Sequence, residues 1–420
     1  MQRRSFLKAT GAAAATSLLS AQSNPIQHLV LVMMENRSFD HFMGWLPNAD
    51  GKQAGLTYRD LNGNLQATFP LAPDFTGCNY PDPDHSYQGG RTEYDNGLMD
   101  GFLQVQTGSV YPIGYYRERD LLFHAALARN YTTCDRYFCS ILGPTFSNRI
   151  FQHAGQTDRL DDSISICTLP TIWDHLQATG ISHKYYYGNL PILALWGTKY
   201  LDISFKYSQF LADCAAGTLP TVSFVDPSYT TEFNLSNDDH PHSDVRNGEA
   251  FLAQTFQAIT QSPNWPNTVM IINFDEWGGF FDHVTPPRAV APNNVDPDLV
   301  DGKALLGCRV GCIIVSPWTK GSAANPTVNH TVFDHTSVLK LIESVWGVPP
   351  LAARETSNDV GNLLDVLNLS VSNTGVPVLP NPGYVIPSQL CLSGTNPGGG
   401  IDSSFQQIID GGLLKGWPGF

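Results

Sequence analysis

The stretch "LVLVMMENRSF" (Leu29–Phe39) places six apolar residues in a row and then ends them on Glu35, Asn36 and Arg37. An unbroken apolar run of this length, with no alternation, predicts a strand covered on both faces. A carboxylate, an amide and a guanidinium cost free energy to bury unless something pairs with them. A metal ion or an anionic substrate at the strand end would be such a partner. Similar short apolar runs recur at 183–188 ("HKYYYG"), 221–226 ("TVSFVD"), 268–274 ("TVMIINF") and 311–317 ("GCIIVSP"). Between them, apolar residues fall at helical spacing over 120–131, 171–180, 244–260 and 335–347. Strands alternating with helices predict an α/β fold with a mainly parallel central sheet and helices on both faces.

The 420 residues are 42% hydrophobic and only 15% charged, with 37 Gly and 29 Pro. That composition fits a compact scaffold with many loops. The formal charge of −14 argues against nucleic acid and against capture by an anionic membrane. It leaves open transient contact with a zwitterionic lipid surface. The start, "MQRRSFLKATGAAAATSLLSA", carries Arg3-Arg4 before an Ala-rich stretch and reads as a twin-arginine signal peptide over residues 1–23. Cleavage after Ala21 or Ser23 removes Arg3, Arg4 and Lys8 and no acid, taking the charge from −14 to −17. The expected destination is periplasmic or extracellular. Residues 24–369 are expected to form one catalytic domain. Its irregular segment 46–119 is long enough to be a site-forming insertion, and 370–420 reads as an irregular C-terminal segment packed on the domain or trailing it. Eight cysteines follow the leader, and an exported chain can oxidise them. Cys308 and Cys312, four residues apart on one strand, stand about 13 Å apart and cannot pair.

Two predicted core strands finish alike, one in Glu35-Asn36 and the other in Asp275-Glu276 within "NFDEWGGFFDHVTPP". Sites in open α/β sheets form beyond the carboxyl ends of the strands, and these oxygen ligands suit a hard or borderline divalent cation. Gly278 and Gly279 would let backbone approach such a site closely. In "SILGPTFSNRIFQHAG" (140–155), Thr145 follows Gly143-Pro144 where a helix begins. It can be a helix cap, or a hydroxyl at the positive helix end, where phosphate is favoured and a metal could activate it for attack on phosphorus. His85 lies in "DPDHSYQGG", and His240 and His242 in "SNDDHPHSDVRNGE". These loop imidazoles could bind phosphoryl oxygens or protonate a leaving group. His283 could order the metal loop from behind, and His335 opens a helix. The aromatic segments "SVYPIGYYRERD" and "KYYYGNLPILALW" could form a choline-binding rim or pack in the core.

The blocks "MMENRSFDHFMG", "NGLMDGF", "GPTFSNR", "DDHPHSDVRNGE" and "FDEWGGFFDHVTPP", in this order from residue 28 to about 345, resemble the bacterial phospholipase C and acid phosphatase family of phosphoesterases. Plant non-specific phospholipases C carry similar blocks. The resemblance implies an alkaline-phosphatase-like three-layer fold and one divalent metal, whether calcium, zinc or another. It makes Glu35, Asn36, Thr145, Asp275 and Glu276 the metal ligands and Thr145 also the nucleophile. His85 and His240 become phosphate-binding or acid–base groups, with His242 a further candidate. Ser147, where relatives commonly have Pro, removes no ligand. Trp277, where they often have a polar residue or His, would alter the pocket wall. The implied reaction is phospholipase C cleavage of phosphatidylcholine-like lipids through a phospho-threonine. The alternatives are an acid phosphatase or phosphodiesterase on soluble esters, and a non-catalytic binding protein on the same scaffold.

Overall fold

The computed structural model describes residues 24–105, 108–229, 236–386, 391 and 404–420. The segment read as a signal peptide lies outside them, as does most of the Gly-rich stretch near residue 397. Eight strands form the central sheet: β1 His28–Met34, β2 Thr132–Cys134, β3 His183–Tyr187, β4 Ser204–Lys206, β5 Val222–Asp226, β6 Thr268–Phe274, β7 Cys312–Val315 and β8 Thr327–Asn329. Their spatial order is β8-β2-β7-β6-β1-β5-β3-β4. All run the same way except β7, which is antiparallel to both β6 and β2.

The opening stretch sits at the centre. β1 pairs in parallel with β6 on one side and β5 on the other, so both its faces are covered and Leu29 to Met34 are all buried. Burying six such side chains contributes roughly 1.5–3 kcal/mol each before the ordering entropy is set against it.

The helices that matter are α1 Phe39–Met43, α2 Tyr87–Tyr94, α3 Leu122–Asn130, α4 Thr145–Ala154, α5 Ile172–Thr179, α6 Tyr207–Ala216, α7 Val245–Thr260 and α8 Thr336–Trp346. Successive residues of β3 show that they cover both faces. Tyr185 packs on Trp173 of α5 and His153 of α4, whereas Tyr186 packs on Phe210 of α6. Adjacent strand residues point to opposite faces, so α4 and α5 lie on one side of the sheet and α6 on the other. Helix α8 joins α4, and α3 and α7 join α6. This is the three-layer α/β architecture expected.

Every strand and helix predicted from periodicity is present, within one or two residues of its expected ends. The insertion 46–119 is less irregular than expected. It holds a hairpin of Thr57–Arg59 with Leu65–Ala67, and helix α2, whose first turn is capped by Ser86 Oγ accepting from Gly89 N–H (3.0 Å). Cys78 of the insertion is disulfide-bonded to Cys391 of the C-terminal segment. Cys308 and Cys312 are buried and not disulfide-bonded, but only Cys312 lies on a strand, β7; Cys308 precedes it in the connecting segment. Phe405 of the C-terminal segment stacks on Tyr229 with ring centroids 4.1 Å apart. Among the described residues, no helix is long and apolar enough to cross a membrane.

Candidate active site

The register of β1 on β6 brings the two acidic pairs together. Met34 lies opposite Phe274, so the residues that follow each strand leave the sheet side by side. Asp275 N–H donates to the Met34 carbonyl (3.1 Å), and Asn36 N–H donates to Asp275 Oδ1 (3.0 Å). Asn36 takes a left-handed backbone with φ 55°, a conformation that Asn tolerates better than most side chains. Gly278 (φ 64°) lies so close that a Cβ there would stand 2.2 Å from the Asn36 carbonyl oxygen. This is the close approach expected of the two glycines.

Thr145 begins α4 after Pro144, and its hydroxyl donates to Asn36 Oδ1 (3.3 Å). The adjacent Phe146 N–H is taken by Asp162 Oδ1 (2.7 Å), so the helix end is not a bare row of donors. Asn36 Nδ2 in turn donates to His85 Nε2 (3.5 Å), which lies 4.0 Å from Glu276 Oε1. His240 stands edge-on to His85 with ring centroids 6.3 Å apart, and its Nε2 is 3.9 Å from Asp82 Oδ2. Glu35, Asn36, Thr145, Asp275, Glu276, His85 and His240 therefore form one connected cluster. His242 faces a different task. Its Nε2 donates to the Tyr80 carbonyl (3.0 Å) and its backbone N–H to the Thr76 carbonyl (2.9 Å), tying the 238–242 loop to the insertion segment that carries Asp82 and His85.

Arg149, which the sequence reading left without a role, proves central. Its Nε donates to Asp275 Oδ2 (3.0 Å) and lies 3.6 Å from Glu35 Oε1. Its Nη1 reaches Tyr229 Oη (2.7 Å) and Asp226 Oδ1 (3.3 Å), and its Nη2 the Met34 carbonyl (3.2 Å). Two signals were available in the sequence. Arg149 lies one helical turn after Thr145, hence on the same face. Asp226 ends β5 as Glu35 and Asp275 follow their own strands. Asp82 had a weaker signal, three residues before His85.

The charges do not balance. Glu35, Asp226 and Asp275 are buried around the guanidinium of Arg149, and Glu276, next in the chain after Asp275, is buried as well. Burial pushes the Glu276 carboxyl well above the usual range; neighbouring His85 lowers it in part and the negative Asp275 adds to the rise. Its Oε1 accepts no hydrogen bond. Burial alone would lower the Arg149 pKa, but Tyr229 and the surrounding carboxylates hold it well above its ordinary value. A surplus of buried negative charge built from oxygen donors fits a hard or borderline divalent cation. Glu35, Asn36, Thr145, Asp275 and Glu276 are the residues that could hold it.

The other expectations fall into place around this cluster. His335 Nε2–H donates to the Asp275 carbonyl (2.6 Å), and burial pushes its pKa down to about 4; the neutral ring holds the end of β6. His283 sits in a different ionic group, bonded to Asp40 (2.5 Å) and Asp50 (3.1 Å). Trp277 is fully buried, and its Nε1–H donates to Glu93 Oε2 (2.7 Å), so it anchors α2, whose N-terminal end follows His85. The aromatic segments form no rim: Tyr111, Tyr115, Tyr116 and Tyr185 to Tyr187 are buried in the hydrophobic core. A cleft of about 280 Å³ opens beside the cluster between His85, Pro144 and Leu160. A larger groove of about 740 Å³, lined by Trp45, Arg117, Leu122 and Arg129, shares no residue with the cluster.

Residues 26–349 match the model of the Phosphoesterase family. Phospholipase C A of Mycobacterium tuberculosis is 31% identical over 473 aligned positions, spanning 91% of this chain and 88% of that protein. Non-specific phospholipase C6 of Arabidopsis thaliana is 30% identical over 361, spanning 77% of this chain and 69% of its own. A solved protein of the alkaline phosphatase superfamily from Vibrio parahaemolyticus is a distant likeness, with TM-score 0.38 and 12% identity over 81% of this chain and 70% of its own.

Proposed function

The chain belongs to the Phosphoesterase family and is a phosphoric ester hydrolase, and from that premise we propose that it is a metal-dependent phospholipase C acting through a phospho-threonine on Thr145. The observation that carries the proposal is the Thr145 hydroxyl, 3.3 Å from Asn36 Oδ1, at the edge of a buried surplus of carboxylates. A bound divalent cation would supply the positive charge that favours the Thr145 alkoxide and offsets charge on a phosphoryl oxygen.

The chain's own residues do the rest. Asn36 accepts the Thr145 O–H and so orients the oxygen. Arg149 keeps Asp275 and Glu35 in place. Thr145 Oγ forms the new bond to phosphorus as the bond to the diacylglycerol oxygen breaks. That oxygen takes its proton on the side lined by His85 and His240. Water then attacks the phospho-threonine and releases the phosphorylated headgroup, restoring the hydroxyl.

Lipid is favoured over soluble ester by two observations. The relatives reported above are phospholipases C by name. The insertion that carries His85 also exposes Leu61, Leu65 and Leu98, at 49%, 59% and 70%, apolar side chains that can enter a zwitterionic bilayer without a basic patch. Export by the twin-arginine leader would place the enzyme outside the cytoplasm.

The test is hydrolysis of phosphatidylcholine and p-nitrophenyl phosphate side by side by metal-loaded protein, with Thr145→Ala as control. Phosphocholine release with little monoester turnover is expected, lost by about 10⁴-fold in the variant. Full activity in Thr145→Ala refutes the mechanism. Fast monoester turnover with intact lipid makes the enzyme an acid phosphatase.

A further inference from the structure

The groove of about 740 Å³ along α3 falls within the size range of small-molecule sites, about 300–1,000 Å³, and it stands apart from the Thr145 cluster. One side of it is apolar. Leu122, Ala125 and Ala126 line it from α3, and Trp45 lines it from the chain that follows α1. The three α3 positions are spaced i, i+3 and i+4, so they share one helix face. Leu122 is 55% exposed on that face, an apolar side chain that the fold leaves uncovered.

The other side is basic, in a chain whose formal charge is −14. Arg117, Arg119 and Arg129 line it against one acid, Glu118. That acid is already engaged. Its two oxygens accept from Nε and Nη2 of Arg129, whose Nη1 donates to the Ala323 carbonyl (3.0 Å). The pair holds Arg129 as a fixed wall, its guanidinium carbon 5.7 Å from the Trp45 ring centroid. Asp120, just outside the groove, accepts from the Arg117 backbone N–H (2.8 Å) and lies 4.0 Å from Arg119 Nε. Arg117 is left over. It is partly buried, and among the described residues no carboxylate lies within ion-pair distance of its guanidinium. With Asp120 counted, one positive charge at the groove stays uncompensated.

We propose that this groove binds a fatty acid, with its carboxylate on Arg117 and its alkyl chain over Leu122, Ala125 and Ala126 against Trp45. A guanidinium matches a carboxylate with two parallel N–H bonds, and the apolar wall gives the chain a place out of water. The charge selects the head group. One uncompensated positive charge balances a carboxylate, whereas a phosphate monoester brings about −1.5 to −2. The site is separate from the phosphoester chemistry and does not depend on it.

Decanoate is the probe, with 1-decanol as its uncharged counterpart. The purified chain is dialysed to equilibrium against each radiolabelled ligand in chelator, which removes carboxylate binding to a metal at the Thr145 cluster. One saturable decanoate site per chain is expected, with decanol bound more weakly. Arg117→Gln should weaken decanoate about tenfold or more and leave decanol unchanged. Leu122→Asp should weaken both, because it sets a carboxylate on the apolar face. Both substitutions replace side chains at the surface, and melting curves establish that the variants fold. The proposal is overturned by no saturable decanoate binding, by decanol binding as tightly as decanoate, or by undiminished decanoate binding in Arg117→Gln. Sedimentation showing a dimer that Leu122→Asp dissociates and decanoate does not would make a second copy of the chain the occupant, and would overturn it too. No hydrolysis is read, so failure of the phospholipase reading leaves this result unaffected.

Discussion

Replacing Arg149 with methionine should destabilise the metal-free protein by about 3–5 kcal/mol, the range found when one partner of a buried ion pair is removed. Arg149 is 1% exposed and serves Asp275 at 3.0 Å, Tyr229 at 2.7 Å, Asp226 at 3.3 Å and the Met34 carbonyl at 3.2 Å. Charge-assisted bonds contribute roughly 1.5–3 kcal/mol apiece, but the partners relax together, so the loss falls below their sum. What remains is a set of buried carboxylates with no positive charge among them. Against a typical folding stability of about 5–15 kcal/mol the loss is large. Arg149→Lys should fall between, because an ammonium keeps the charge but cannot replace the three-way fork. The assay is urea unfolding followed by tryptophan fluorescence, with chelator and with saturating divalent cation. Cation should recover more stability in Arg149→Met than in the unmodified protein, since the variant has one more uncompensated negative charge. A loss below about 1 kcal/mol without metal would refute the reasoning, because the carboxylates would then be protonated or hydrated rather than paired with Arg149.

Three other outcomes follow from single contacts. Gly278→Ala puts a Cβ 2.2 Å from the Asn36 carbonyl at φ 64°; it should cost about 2 kcal/mol or more and lower metal affinity, and calorimetry showing unaltered binding would count against Asn36 as a ligand. Trp277→Phe removes the bond to Glu93 at 2.7 Å and loosens α2, so KM for lipid should rise several-fold; an unchanged KM would detach α2 from substrate binding. Glu343 and Glu355 are a neighbouring pair: burial and then the charge of Glu355 push the Glu343 carboxyl up to about 9, and burial pushes Glu355 up to about 7 although its hydrogen bond with Glu343 lowers it in part. Both lie above the unfolded value, so the folded state binds these protons more tightly. That stabilisation is complete below about pH 4 and fades as pH rises through 7 to 9. Glu343→Gln should therefore gain in melting temperature relative to the unmodified protein between pH 5 and pH 9, and a pH-independent difference would disprove the coupling.

The sequence by itself determined the long elements and most of the chemistry. Apolar runs of five to seven residues and helical spacing over ten or more are local patterns, and each folded as its pattern required. Thr145, Asn36, His85 and the two acidic pairs were legible because unusual polar groups stand at the ends of strands or at a helix start. The three-residue strands Thr132–Cys134, Ser204–Lys206 and Thr327–Asn329 were not, since three residues show no period. The tertiary structure alone decided the rest. Strand register set Met34 against Phe274 and so put three acids of three separate strand ends around one arginine. Packing sent the tyrosines to the core. Periodicity is a property of neighbouring residues, whereas register and charge balance depend on groups up to some 240 residues apart in the chain, which meet only when the sheet is assembled.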